Sequence, residues 1–120
     1  MAKPAVHLLV ELTIHEGKLD VFESIAREMI AGSRSEPGTL GYEWYLTSGR
    51  KRCRLLESYA SADDLLAHFT GPVVQQLVPK LAEHVTIDSF EVYGDPGPQA
   101  VAMLTRIGAE IFTNWCGFSR

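Results

Sequence analysis

The groups best suited to acid–base chemistry in this sequence are Glu57, Tyr59 and His68. Glu57 lies in a strand-like segment and shares its inward face with Leu55 and Tyr59, so its carboxylate must be paired, hydrogen-bonded or protonated. Such a group orients a histidine, acts as a base, or serves only as a structural hydrogen-bond partner for a backbone amide or a tyrosine hydroxyl.

His68 lies three residues after Leu65 and directly before Phe69, near the end of a short predicted helix. This position allows the imidazole to project into the gap between that helix and a sheet, where it is suited to act as a general base near neutral pH. The alternative is a histidine that only makes a hydrogen bond at the end of the helix.

Aromatic side chains accompany these groups in the sequence. Tyr42 and Trp44 alternate along one predicted strand, Phe22 lies on the first predicted helix, and Phe69 follows His68. We expect these four aromatics to contact a substrate, although aromatic residues are also common in strands and cores.

Composition argues against several classes of protein. The chain has 120 residues, enough for one domain, and a net charge of −4. Nucleic-acid binding needs a concentrated positive patch, so we expect no nucleic-acid partner and interpret the basic residues 50–52 and Arg54 as a solvated hairpin turn. The apolar runs are too short to cross a membrane, and no signal-peptide pattern opens the sequence. We therefore expect a cytoplasmic protein with reduced thiols.

The sequence contains no familiar cofactor or metal motif. Cys53 and Cys116 lie far apart without a CxxC pair, and the other histidines, His7, His15 and His84, lack the spacing of metal ligands. A phosphate-binding loop, a serine-nucleophile elbow and an HExxH helix are also absent from the sequence. We therefore expect no metal site and no nucleotide-binding site.

The elements that must position these residues follow from hydrophobic periodicity. Apolar residues alternate over 6–14, recur at helical spacing over 18–33, and alternate again over 39–47, 52–60 and 85–93. A capping-box pattern at Ser61 and Asp64 begins a helix that runs to Phe69, and a second helix starts at Pro72 and is divided at Pro79. The order β-α-β-β-α-β predicts an α+β, ferredoxin-like domain over residues 1–94.

The hairpin between the second and third strands has a definite predicted register. If residue 47 lies opposite residue 52, Trp44 faces Leu55 and Tyr42 faces Glu57. The aromatic residues and the inward carboxylate then share one face of the sheet.

Residues 95–120 are predicted to form an extension after a turn-rich linker, with a helix over 99–107 and a short strand over 111–116. Phe112, Trp115 and Phe118 make this extension apolar on balance. We expect it to cap the pocket of its own domain or to pack on a partner subunit.

The face of the sheet that lacks helices predicts a homodimer. It is expected to carry a mixture of polar and apolar side chains: His7, Leu9, Glu11, Glu43, Tyr45 and Arg54. Pairing two such sheets face to face would cover Leu9 and Tyr45 and close a barrel. Glu43 and Arg54 are then expected to be ion-pair partners rather than catalysts.

Three segments together resemble the antibiotic biosynthesis monooxygenase family over residues 5–94: EPGTLGY at 36–42, LESY with SADDL at 56–65, and Ala67-His68. The resemblance implies a dimeric α+β barrel with a pocket between the sheet and the helices of each subunit. Several members are cofactor-free monooxygenases of quinols or polycyclic phenols, in which the substrate itself is the reductant. The resemblance implies that His68, Glu57 and Tyr59 supply the acid–base and hydrogen-bonding groups, and that Tyr42 and Trp44 form an aromatic wall beside them.

Other branches of this family leave alternatives open. Haem-degrading members hold haem with an Asn, a Trp and a His where this chain has Val10, Tyr59 and Val78, so the resemblance implies no haem. Other relatives isomerise or cleave small molecules, and some show no activity. The leading expectation is a cofactor-independent oxygenase of a small quinol or phenol. The alternatives are a dimeric barrel that binds a hydrophobic ligand without catalysis, or an isomerase or lyase.

Overall fold

A five-stranded sheet with helices packed on one face forms the framework of the protein. The computed structural model describes residues 5–120. Along the chain the elements are β1 (Val6–Ile14), α1 (Leu19–Arg34), β2 (Thr39–Leu46), β3 (Arg52–Tyr59), α2 (Ala62–Thr70), a π-helical segment (Val73–Leu77), α3 (Val78–Ala82), β4 (Val85–Tyr93), α4 (Pro98–Arg106) and β5 (Glu110–Phe112). The strands lie in the order β2-β3-β1-β4-β5. This confirms the predicted α+β, ferredoxin-like fold.

Strand β1 is the centre of the sheet and carries the core on one face. It pairs antiparallel with β3 on one side and with β4 on the other. Its five alternate apolar residues are all buried under the helices: Val6, Leu8, Val10, Leu12 and Ile14. A strand with this pattern can bury one face only, which leaves the opposite face of the sheet open.

The β2–β3 hairpin has the predicted register, since Tyr42 lies opposite Glu57 and Trp44 opposite Leu55. The register shifts only near the start of β2, between Thr39 and Gly41. Tyr42 and Glu57 therefore lie side by side under the helices.

Strand β4 departs from the strict alternation that its sequence predicts. The pairing with β1 shifts by one residue, so that Val10 faces Phe90 while Leu12 faces Ile87. A bulge of this kind adds one residue to one strand and brings side chains three positions apart onto the same face. Ile87 and Phe90 consequently both point toward the helices.

The helices begin and end largely where the sequence predicts. Ser61 caps α2, because its hydroxyl oxygen accepts a hydrogen bond from the Asp64 backbone N–H at 3.3 Å and donates to the Asp64 carboxylate at 2.7 Å. The helix that follows Pro72 is divided, as predicted, into the π-helical segment and α3, with Pro79 at the start of α3.

The C-terminal extension packs on its own chain through α4. Ala100 and Leu104 are fully buried against a cluster that includes Leu8, Tyr59 and Leu65. Strand β5 is shorter than the predicted 111–116 and pairs in parallel with β4 over three residues. Beyond it Trp115 is 93% exposed, so this side chain does not cap a pocket in this chain.

Two further observations concern the surface. Arg54 lies 3.4 Å from the Glu11 carboxylate on the neighbouring strand, whereas Glu43 accepts a hydrogen bond from the Tyr45 hydroxyl at 3.2 Å. Within one chain Arg54 therefore pairs with Glu11 of β1, and its expected pairing with Glu43 in the dimer stays a prediction. Among residues 5–120, no helix is long and apolar enough to cross a membrane.

Candidate functional site

A cavity of about 280 Å³ lies between the sheet and the helices. Strands β1 to β4 form its floor, and side chains from α1, α2, the π-helical segment, α3 and α4 form its walls. The walls are mostly aliphatic and aromatic. The polar side chains that reach the cavity are Tyr42, Glu57, His68 and Gln75. A mostly apolar concavity with a few convergent polar groups is typical of a small-molecule site.

His68 is held in one orientation by Glu36. Its Nδ1 atom lies 2.7 Å from Glu36 Oε1, and the Thr39 hydroxyl donates to the same oxygen at 2.8 Å. The His68 side chain is 2% exposed, so this is a shielded, short contact. A carboxylate accepts only, so Nδ1 carries the proton, and in the neutral ring Nε2 keeps its lone pair. The arrangement prepares Nε2 to act as a base.

Glu57 is a buried carboxyl on the same floor. It is 5% exposed and accepts a short hydrogen bond from the Tyr59 hydroxyl. Burial raises the pKa of Glu57 above its ordinary value, and this effect outweighs the hydrogen bond from Tyr59 and the charge of His68, which lower it. The carboxyl therefore keeps its proton to a higher pH than an exposed glutamate does.

The two tyrosines beside Glu57 stay neutral. Burial, followed by the charge of Glu57, raises the pKa of both Tyr59 and Tyr42 well above the ordinary tyrosine range. The Ser33 hydroxyl works against this rise at Tyr42. Tyr42 lines the cavity and can donate a hydrogen bond to a ligand, whereas Tyr59 lies behind Glu57 and is completely buried.

Glu57 and His68 are close enough to share one atom of a ligand. Glu57 Oε1 lies 3.9 Å from His68 Nε2, which is too far for a direct hydrogen bond. A ligand oxygen can lie about 2.8 Å from both atoms, because 3.9 Å is less than twice that distance. The site can therefore remove a proton from a ligand hydroxyl at His68 while the Glu57 carboxyl makes a hydrogen bond to the same oxygen.

The aromatic residues form a chain of ring contacts, only part of which reaches the cavity. The Tyr42 ring packs 5.4 Å from the His68 ring, and Phe69 packs 5.5 Å from it on another side. Tyr42 and Phe69 both line the cavity. Trp44 packs 5.8 Å from Tyr42, and Phe22 packs behind Trp44 at 5.9 Å. These last two rings support the wall without forming part of it.

Two residues of the site did not figure among the sequence-based candidates. Glu36 belongs to the Glu-Pro-Gly turn, but its partner is 32 residues away and no periodicity connects them. Gln75 reaches the cavity from the π-helical segment and donates to the Phe69 carbonyl at 2.8 Å. The segment contains two adjacent glutamines, Gln75 and Gln76, and their sequence does not indicate which side chain turns inward. Among the described residues, no group of three or more His, Cys, Asp or Glu side chains is arranged to hold a metal ion.

Comparison with known proteins gives a consistent assignment. The family model described as antibiotic biosynthesis monooxygenase matches residues 5–80. MupZ from Pseudomonas fluorescens is similar over 98% of this chain and 96% of its own, with a TM-score of 0.85 and 22% identity. A putative antibiotic biosynthesis monooxygenase from Nitrosomonas europaea has a TM-score of 0.68 and 19% identity over 82% of this chain and 96% of its own. No curated protein sequence matches significantly.

Proposed function

The chain belongs to the antibiotic biosynthesis monooxygenase family, and from this premise we propose that it oxidises a small quinol or phenol with O₂ without a cofactor. The observation that carries the proposal is the His68 Nε2 atom, which Glu36 orients toward an apolar cavity beside the buried Glu57 carboxyl, whose pKa burial raises. Cofactor-free oxidation needs a base for a phenolic hydroxyl, donors for the resulting anion and a water-poor pocket.

The proposed reaction begins with a proton transfer. His68 Nε2 takes a proton from a substrate hydroxyl, and the Glu57 carboxyl and the Tyr42 hydroxyl donate hydrogen bonds to the resulting anion. The anion passes one electron to O₂, the two radicals combine at a ring carbon, and the hydroperoxide loses water. A quinol and O₂ thus give a hydroxyquinone and one water, so that all the electrons come from the substrate.

A second candidate is an isomerase or lyase that moves a proton without using O₂. It is favoured by the same pair of groups, because a base at His68 and an acid at Glu57 are the two components of a proton transfer. In this case a carbon acid would take the place of the phenol.

Oxygen uptake separates these functions. Purified protein is assayed against a panel of quinols and phenols with no added metal or flavin, with and without catalase. The proposal expects uptake above the autoxidation rate, one O₂ per substrate, and no oxygen returned by catalase, because water rather than peroxide is formed. Uptake equal to the background with every substrate would overturn the oxygenase. Hydrogen exchange of a bound ketone in the absence of uptake would support the isomerase or lyase, and binding without either reaction would support a non-catalytic barrel.

We also propose that the protein works as a homodimer that pairs through the open face of the sheet. Leu9 and Leu56 lie opposite each other on that face, with Leu56 40% exposed and Tyr45 51% exposed. Family members are commonly dimeric, and covering these side chains removes apolar surface from water.

A further inference from the structure

The cavity has two chemically different ends. The end formed by β2, β3 and α2 carries Tyr42, Glu57 and His68. The other end lies across the central strand β1 and is formed by β4, α3 and α4. The side chains that these three elements contribute are all apolar, and they include Ala82, Val85, Ile87, Met103 and Ile107. A ligand that fills the cavity must therefore be polar at one end only.

The apolar end depends on the C-terminal extension. Ala100 and Leu104 anchor α4 in the core, with exposed fractions of 1% and 0%. Met103 on this helix and Ile107, the residue directly after it, both line the cavity, and residues four apart at a helix end lie next to each other. The family match ends at residue 80, so both α4 and β4 lie outside the matched segment. The part of the apolar end that α4 and β4 form consequently lies outside the segment that matches the family.

The mouth of the cavity is apolar as well. Ile87 is 50% exposed and Ile107 is 55% exposed, although both line the cavity. Ile87 faces the helices because of the bulge in β4, and there it is only half covered. Half-covered isoleucines at a cavity mouth are side chains that a bound hydrocarbon would remove from water.

The volume exceeds what one aromatic ring needs. An apolar protein cavity of about 150 Å³ is large enough to bind benzene, whereas this cavity measures about 280 Å³. A single ring bound beside His68 would leave roughly half of the space unfilled, next to the flexible side chain of Met103. Methionine adapts its shape to irregular apolar partners, which suits a flexible chain better than a second rigid ring.

We propose that the substrate is amphiphilic: its hydroxylated group binds at Glu57 and His68, and an unbranched hydrocarbon substituent extends along β4 and α4 between Met103, Ile87 and Ile107. The identity of the head group rests on the proposed function, whereas the hydrocarbon subsite rests on the cavity alone. The residues at the end of α4 thereby select the substrate by the length of its hydrocarbon substituent.

Two homologous ligand series test this subsite by calorimetry without oxygen. One series is hydroquinone with methyl, butyl and hexyl substituents, and the other is the straight-chain alcohols of matching length. The affinity is expected to rise about threefold to fourfold per methylene group, and to stop rising once the apolar end is full.

Substitutions at Ile107, directly after α4, test where the hydrocarbon substituent binds. Ile107→Trp should shorten the range over which affinity rises and leave methylhydroquinone binding within about twofold. Ile107→Ser should lower the gain per methylene group, and it serves as the second variant if the tryptophan disturbs folding. Thr105→Trp is the matched control, because Thr105 is exposed on the same helix and does not line the cavity. This control should keep the parent's dependence on length.

The outcomes separate this proposal from the proposed function. A length dependence in the alcohols without oxygen uptake for any hydroquinone would keep the subsite and overturn the oxygenase. Oxygen uptake with equal affinity for the methyl and hexyl compounds would keep the oxygenase and overturn the subsite. No binding in either series, or a length dependence unchanged in both Ile107 variants, would also overturn the subsite.

Discussion

Glu36 determines the tautomer and the orientation of the His68 ring. The contact of 2.7 Å between Glu36 Oε1 and His68 Nδ1 fixes the ring orientation and leaves Nε2 toward Glu57. The Thr39 hydroxyl donates a hydrogen bond to the same carboxylate oxygen. A histidine alone would choose between two tautomers and several rotamers, so the glutamate converts a general polar residue into a directed base.

Replacing His68 with alanine should lower turnover by roughly 10²–10⁴-fold, because a general base contributes about that factor. Glu36→Gln should lower turnover by about 10-fold or more while leaving the ring in place, because an amide holds Nδ1–H less strongly than a carboxylate. Steady-state kinetics measures both effects. The rates are corrected for the fraction of each variant that is folded, which is obtained from urea unfolding.

Trp44→Phe is the matched control for these variants, since the indole lies behind Tyr42 and its N–H has no partner among residues 5–120. Its turnover should stay within about threefold of the parent. If His68→Ala loses about 1–3 kcal/mol of stability while its activity falls only with the folded fraction, His68 is structural.

Glu57 should make folding stability depend on pH in a definite direction. Its folded pKa is raised by burial above the ordinary value of 4.5, so the folded state binds a proton that the unfolded state releases. The stability that this bound proton contributes is complete below about pH 4.5, and it is lost as the pH rises through the pKa of Glu57 in the folded state.

Glu57→Gln lacks this proton but keeps an acceptor for the Tyr59 hydroxyl. The stability of the variant relative to the parent should therefore increase as the pH rises above 4.5, measured by urea unfolding across a pH series. A difference between the two proteins that stays constant with pH would contradict the raised pKa.

At the scale of elements, the Glu-Pro-Gly turn is locked to the start of α2. The Gly38 carbonyl accepts a hydrogen bond from the Ala60 backbone N–H at 2.9 Å. A Cβ atom at Gly38 would lie 2.0 Å from the Asp64 carboxylate, which itself takes part in the α2 cap. The helix that carries His68 and the turn that carries Glu36 are thus fixed relative to each other.

Gly38→Ala should destabilise the protein by about 1–3 kcal/mol, because the methyl group forces the short Asp64 side chain out of its cap. It should also lower turnover by displacing Glu36 from His68. Gly49→Ala is the matched control, since a Cβ there meets nothing within 4 Å. Thermal unfolding and turnover are measured together.

A double-mutant cycle identifies the cause of this loss. Adding Asp64→Gly to Gly38→Ala should cost less than the sum of the two single changes, because glycine at position 64 also removes the Cβ atom that would lie 2.5 Å from the new methyl group. Additive losses would show that the close approach to Asp64 is not the reason.

At the scale of the whole molecule, the helices cover one face of the sheet and the cavity, and the opposite face keeps exposed apolar side chains. Arg54 lies on that open face beside Glu11, one strand away from Glu43. The proposed pairing of two such faces would bring these charges together at a symmetric interface.

Arg54→Glu should weaken self-association by roughly 10-fold or more, because it places a third carboxylate beside Glu11 and Glu43 on the proposed interface. Lys80→Glu makes the same change of charge on α3, on the helix side, and should leave association unchanged. Sedimentation velocity at micromolar concentration measures both. A monomeric parent protein under these conditions would remove the basis of the proposed dimer.

Periodicity alone determined the order of the main elements, the register of the β2–β3 hairpin and the burial of Glu57, because each depends on residues close together in sequence or on a fixed repeat. Tertiary structure decided the rest. The Glu36–His68 contact joins a turn to a helix across 32 residues, the β4 bulge turns Ile87 toward the cavity, and α4 completes its wall. No local pattern encodes these features, because each arises where separate elements pack against one another.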